Sequence, residues 1–118
     1  MPKILIVDDE RDVCFLLKKI LKSNGYETRC CYTLQTCRET IADMTSIELI
    51  LLDINLTDGN GLSLLEEKII PEATKVIVMS ARSHLADEAV DKGADLFMAK
   101  PFSPNKLLSV IQDYRQAS

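Results

Sequence analysis

Short apolar runs alternate with helical stripes along the whole chain. Lys3 to Val7 (KILIV) is rich in β-branched residues and is closed by Asp8, Asp9 and Glu10. That is the pattern of a strand buried on both faces. From Asp12 the period changes. Val13, Leu16, Leu17, Ile20 and Leu21 follow a helical stripe, and Asn24-Gly25 provides a C-terminal glycine stop. Tyr26 to Cys31 predicts a second strand, and Leu34, Cys37, Ile41 and Met44 a second helix. Ile47 to Leu52 predicts the third strand. Gly61 to Ile70 predicts a third helix with Leu62, Leu65 and Ile69 inward, stopped by Pro71.

The alternation then continues to the end. Lys75 to Ser80 (KVIVMS) predicts a fourth strand, and Ser83 an N-cap for a short helix with Ala86, Ala89 and Val90 inward, ended at Gly93. Asp95 to Ala99 predicts the last strand. Ser103-Pro104 opens a final helix whose stripe is Leu107, Leu108, Ile111 and Tyr114. Strands joined by helices of this length run parallel with right-handed crossovers and helices on both faces. The expected fold is therefore a doubly wound α/β domain, a single unit spanning residues 1–118.

Composition narrows the function. A net charge of −4 and scattered basic residues give no footprint for direct nucleic-acid binding. No apolar run approaches membrane-helix length, and MPKILIVDDE lacks the features of a secretion signal, so the expectation is a cytoplasmic protein without membrane contact. Cys14, Cys30, Cys31 and Cys37 show neither CxxC spacing nor a paired histidine, and are read as reduced packing residues.

The chemistry lies in the residues that end the strands. In an open α/β sheet, functional groups gather outside the carboxyl ends of the strands, where the strand order reverses. Here Asp8-Asp9, Asp53, Ser80 and Lys100-Pro101 all follow apolar runs at that end. Taken singly, each has a plainer role. Asp8-Asp9 could cap a helix, Asp53 could form a turn, and Lys100 could be a solvated charge. Together they bring several carboxylates to one rim, which requires a raised pKa or a cation among them. An all-oxygen rim suits a hard divalent ion, Mg²⁺ before Ca²⁺. A metal, an ammonium and a hydroxyl facing one carboxylate are what a phosphoryl group on Asp53 would require.

The motifs ILIVDDE, LILLDINLTDGNGL, VIVMSAR and LFMAKPF together resemble the CheY-like receiver domain of bacterial two-component response regulators, from Lys3 to about Tyr114. The resemblance implies a flavodoxin-like (βα)₅ three-layer sandwich with strand order 2-1-3-4-5. It implies Asp53 as phosphoacceptor, with Ser80 and Lys100 bonding the phosphoryl oxygens. Mg²⁺ would be bound directly by Asp9, Asp53 and the backbone carbonyl of Asn55, and by Asp8 through water. Pro101 is a candidate for a cis peptide bond after Lys100, and Phe97 falls at an aromatic switch position coupled to Ser80. The implied partners are a histidine kinase or a histidine phosphotransfer protein, with signalling through the fourth helix, fifth strand and fifth helix. Such a domain modifies itself and turns over no separate substrate.

Departures from the family pattern are local. Thr57 stands where the family usually has proline, Asn60 where Asp or Ser is frequent, and the segment from Ser80 to Gly93 is about two residues short. Arg82 borders the pocket, and the resemblance implies that it and Asn55 tune phosphoaspartate hydrolysis. His84, the single histidine, is read as an exposed surface residue. Two other functions compete. Asp53-Ile54-Asn55-Leu56-Thr57 echoes the DxDxT motif of haloacid-dehalogenase-type phosphatases, but its second Asp is absent. A binding-only pseudo-receiver is opposed by the complete set Asp8, Asp9, Asp53, Ser80 and Lys100.

Overall fold

Successive residues of the central strands point to opposite faces, so the sheet buries two cores. The structure, a computed structural model, describes residues 3–117. Strands β1 (Lys3–Val7), β2 (Glu27–Cys31), β3 (Ile47–Asp53), β4 (Lys75–Ser80) and β5 (Leu96–Ala99) form one parallel sheet in the order β2-β1-β3-β4-β5. The helices are α1 (Arg11–Ser23), α2 (Leu34–Asp43), α3 (Leu62–Glu66), α4 (Ala86–Asp91) and α5 (Pro104–Ala117). Between β3 and α3, Asn55–Leu56 pairs antiparallel with Gly59–Asn60 as a small hairpin.

On one face Ile4, Ile6, Leu51 and Ile77 pack against Cys14, Leu17 and Leu21 of α1 and Leu107 and Ile111 of α5. On the other, Leu5, Val7, Ile50 and Val78 pack against residues of α2, α3 and α4. Full burial of one such side chain is worth about 1.5–3 kcal/mol, so these unbroken apolar strands supply much of the drive to fold. The expected three-layer, flavodoxin-like arrangement is the one observed.

Several ends form where local chemistry requires them. Gly25 has φ +88, and its N–H donates to the Lys22 carbonyl as α1 terminates. Tyr26 is buried and donates to the Leu21 carbonyl, so it closes the helix and β2 starts at Glu27, one residue later than expected. The Ser103 hydroxyl accepts from the Lys106 N–H at 3.1 Å, fixing the start of α5.

Elsewhere the observed phase differs from the expected one. Leu16 is 54% exposed while Cys14 is fully buried, so the inward line of α1 runs through Cys14, Leu17 and Leu21. One helix face covers only a limited arc of a sheet, and Leu16 lies beyond its edge. The third helix ends at Glu66 and not at Ile70, because Lys68 takes a left-handed φ of +56. Ile69 consequently falls outside the helix and is exposed. Ser83 makes no cap bond. It opens a 3-10 turn over Ser83–Leu85, and Val90 faces outward while Ala89 is fully buried. Asp95 lies just before β5, with its carboxylate accepting from the Val76 N–H at 2.8 Å.

All four cysteines are free. Cys14, Cys31 and Cys37 are buried and Cys30 is half-buried. Among the described residues, no helix is long and apolar enough to cross a membrane.

Candidate functional site

β1 and β3 are hydrogen-bonded neighbours, so their carboxyl ends deliver Asp8 and Asp53 to the same rim. Asp8 is 0% exposed and Asp53 5%. Ser80, 1% exposed, ends the next strand one step beyond Met79, the register partner of Asp53. The chain after β5 brings Lys100 over this rim, and its N–H bonds the Ser80 carbonyl at 2.9 Å.

The ammonium of Lys100 binds the pocket together. Its Nζ donates to Asp8 Oδ2 at 2.9 Å and lies 3.6 Å from Asp53 Oδ2. The other Asp8 oxygen accepts from the Glu10 N–H at 3.0 Å. Two buried carboxylates thus share one partly solvated cation. Among the described residues, no buried side-chain oxygen or nitrogen lacks a partner.

The electrostatics follow from that crowding. Burial first, and then the charge of Asp8, push the Asp53 carboxyl from an ordinary 3.8 up to about 6; Lys100 and the Asn55 N–H oppose the rise. Burial works against the Lys100 ammonium. The Asp8 hydrogen bond and the fields of Asp53, Asp8 and Glu10 outweigh it, and its pKa rises. Asp53 is therefore a carboxylate held at some cost in repulsion, facing a fixed positive charge.

The remaining residues take places around this centre. Asp9 is half-buried, and Asn55 follows Asp53 on the exposed start of the hairpin. One oxygen from each of Asp8, Asp9 and Glu10 lies within 4.8 Å of the others. An all-carboxylate group of this kind fits a hard, oxygen-seeking cation such as Mg²⁺. Glu10 joins that group beyond the residues expected from the sequence, where it only closes the first apolar run; its adjacency to Asp8-Asp9 is the signal that points to it. The Ser80 hydroxyl accepts from the Arg82 N–H at 3.0 Å, and the Arg82 side chain is exposed. Phe97 is half-buried, packed against the core on the α2, α3 and α4 side and in register with Val78. The Lys100–Pro101 peptide is cis. His84 is exposed, as expected.

Two glycine-linked contacts hold the segment after Asp53. A side chain at Gly61 would run into the Asp53 carbonyl oxygen, and the Gly61 N–H donates to the Ile54 carbonyl at 2.6 Å. The Asn60 carboxamide oxygen then accepts from the Leu62 N–H at 2.8 Å, opening α3.

The sequence and the fold are similar to those of known proteins. Residues 4–112 match the family described as "Response regulator receiver domain". The chain is 32% identical over 114 residues to the transcriptional regulatory protein CpxR of Escherichia coli (strain K12), covering 95% of this chain and 48% of that protein. It is 36% identical over 109 residues to the KDP operon transcriptional regulatory protein KdpE of the same organism, covering 91% and 48%. The chain thus spans about half the length of these curated relatives. The crystal structure of the receiver domain of NtrX from Brucella abortus superposes with a TM-score of 0.86 at 35% identity, covering 98% of this chain and 99% of that one. By sequence and by fold alike, the chain belongs to the response regulator receiver domain family.

Proposed function

We propose that this domain is a phosphorylation switch in which Asp53 accepts a phosphoryl group from a histidine kinase or a histidine phosphotransfer protein. The observation that carries the reading is Lys100 Nζ, 2.9 Å from Asp8 and 3.6 Å from Asp53, within one buried rim that also holds the Ser80 hydroxyl. An Asp53 oxygen attacks phosphorus, the phosphorus–nitrogen bond of the donor breaks, and an aspartyl phosphate forms as the imidazole leaves. Lys100 and Ser80 donate to the phosphoryl oxygens, where negative charge is concentrated.

Asp9, Asp53 and the Asn55 carbonyl would hold Mg²⁺, with Asp8 acting through water; the carboxylates grouped at Asp8, Asp9 and Glu10 support an oxygen-ligated ion there. When bound, Mg²⁺ supplies positive charge to the phosphoryl oxygens. The new charge biases Ser80 toward the phosphoryl group and Phe97 into the space it leaves, altering the α4–β5–α5 face that contacts output partners. The domain turns over no separate substrate. It acts in the cytoplasm, as one domain over 1–118.

Intact mass after incubation with acetyl phosphate and Mg²⁺ tests the reading. A labile phosphoryl adduct on the parent, missing without Mg²⁺, is the expected result. Steady turnover of a small phosphate ester would instead favour a phosphatase.

A further inference from the structure

The segment between Asp53 and α3 is anchored at its tip by a side chain that the switch chemistry does not use. Asn55–Leu56 and Gly59–Asn60 form the arms of the hairpin, leaving Thr57 and Asp58 at the turn. Asp58 is exposed, yet both of its oxygens are engaged. Oδ1 accepts from the Leu34 N–H at 2.8 Å and Oδ2 from the Gln35 N–H at 3.0 Å. These are the first two amides of α2, which have no acceptor within their own helix. The helix's own cap, Thr33, serves the next amide, Thr36 N–H, at 3.1 Å. The carboxylate therefore completes a helix start that lies more than 20 residues away in sequence. Gly59 is pressed onto the same place: a Cβ there would sit 2.9 Å from Leu34 Cδ1.

The other end of the hairpin is fixed beside the site, through the Gly61 N–H on the Ile54 carbonyl at 2.6 Å and the absence of room for a side chain at Gly61 against the Asp53 carbonyl. Asn55 thus lies on a strip held at two points. Thr57 has no ring to restrict the turn between them. We infer that Asp58 is a positioning residue for the divalent cation: by clamping the hairpin tip to the start of α2, it holds the Asn55 main chain beside Asp53. The inference rests on the reading that Asn55 and Asp53 face Mg²⁺.

A second clamp joins the same two regions and provides the control. Arg38 of α2 bonds Glu67 through two contacts of 2.8 Å, but Glu67 lies beyond α3 and past the Gly61 anchor. The experiment is Mg²⁺ titration by calorimetry on the parent, Asp58→Ala, Asp58→Asn and Arg38→Ala, with amide hydrogen exchange on each. Asp58→Ala is expected to weaken Mg²⁺ binding roughly tenfold, the low end of what loss of an outer-shell partner does to metal affinity. The Leu34 and Gln35 amides should exchange faster in the same variant. Asp58→Asn, which keeps one acceptor oxygen, should fall between it and the parent. Arg38→Ala should bind Mg²⁺ as the parent does. Equal affinity in the parent and Asp58→Ala overturns the inference while leaving the phosphoacceptor reading intact. An equal loss in Arg38→Ala also overturns it, because the effect would then be general loosening of α2. A parent that binds no Mg²⁺ overturns the site reading and this inference with it.

Discussion

Lys100 and Asp8 stand 92 residues apart in the chain and 2.9 Å apart in the fold, an ammonium bonded to a carboxylate that has no contact with solvent. That pair is what lets β1 and β3 end side by side in negative charge. Replacing Lys100 by Ala strands Asp8 and leaves Asp53 facing it without compensation. In metal-free buffer Lys100→Ala should cost about 2–3 kcal/mol, below the range for fully buried pairs because the ammonium is partly solvated. Urea denaturation measures it, and unchanged stability would refute the pairing argument.

Asp53 makes the opposite prediction. Its carboxyl is raised from 3.8 to about 6, chiefly by burial and by Asp8, so the ionised group opposes folding at neutral pH. Asp53→Asn should therefore stabilise the metal-free protein by about 1–3 kcal/mol while abolishing acceptance. An Asn variant no more stable than the parent would mean that Lys100 already offsets the repulsion.

Gly61 leaves no room for a side chain, since a Cβ there would overlap the Asp53 carbonyl oxygen and touch the Ile54 backbone. Backbone cannot yield as a flexible side chain can. Gly61→Ala should cost about 3 kcal/mol or more by overpacking and should slow phosphoryl transfer by displacing Asp53. A variant with parental melting and parental phosphorylation would contradict the packing shown here.

The Asp58 clamp has a defined pH window. Its two main-chain donors, Leu34 N–H and Gln35 N–H, hold its carboxyl below the ordinary 3.8. For an acid depressed by folding, stabilisation is complete above the unfolded value and lost as pH falls through the folded one. The stability gap between the parent and Asp58→Ala should stay constant above about pH 5 and close on acidification below 3.8. A gap that opened on acidification would reverse the sign of the argument.

Much of this was legible in sequence because the rule connecting them is short. Apolar runs such as KILIV and KVIVMS mark buried strands, and the polar residue after each run lies at the functional rim. That rule singles out Asp8, Asp53, Ser80 and Lys100, and the fold places all four at the same end of the sheet. Periodicity was weaker where the helix was short or the arc narrow. Leu16, Ile69 and Val90 satisfied a helical spacing yet face outward, because Cys14 and Ala89 occupy the inward line and Lys68 turns the chain left-handed after Glu66. Asp58 was hidden for another reason. Its partners are main-chain amides of a remote helix, which carry no sequence signal, and TDGNG by itself shows only the composition of a turn.

An aspartyl phosphate on Asp53 leaves a chemical mark that can be read at its position in the chain. The protein is treated with acetyl phosphate and Mg²⁺, reduced with borohydride, and digested for peptide sequencing by mass spectrometry. Borohydride converts an aspartyl phosphate to homoserine, so homoserine is expected at position 53 alone and should be lost in Asp53→Ala. Conversion at Asp8 or Asp9, or a parental level of adduct in Asp53→Ala, would contradict the assignment to Asp53.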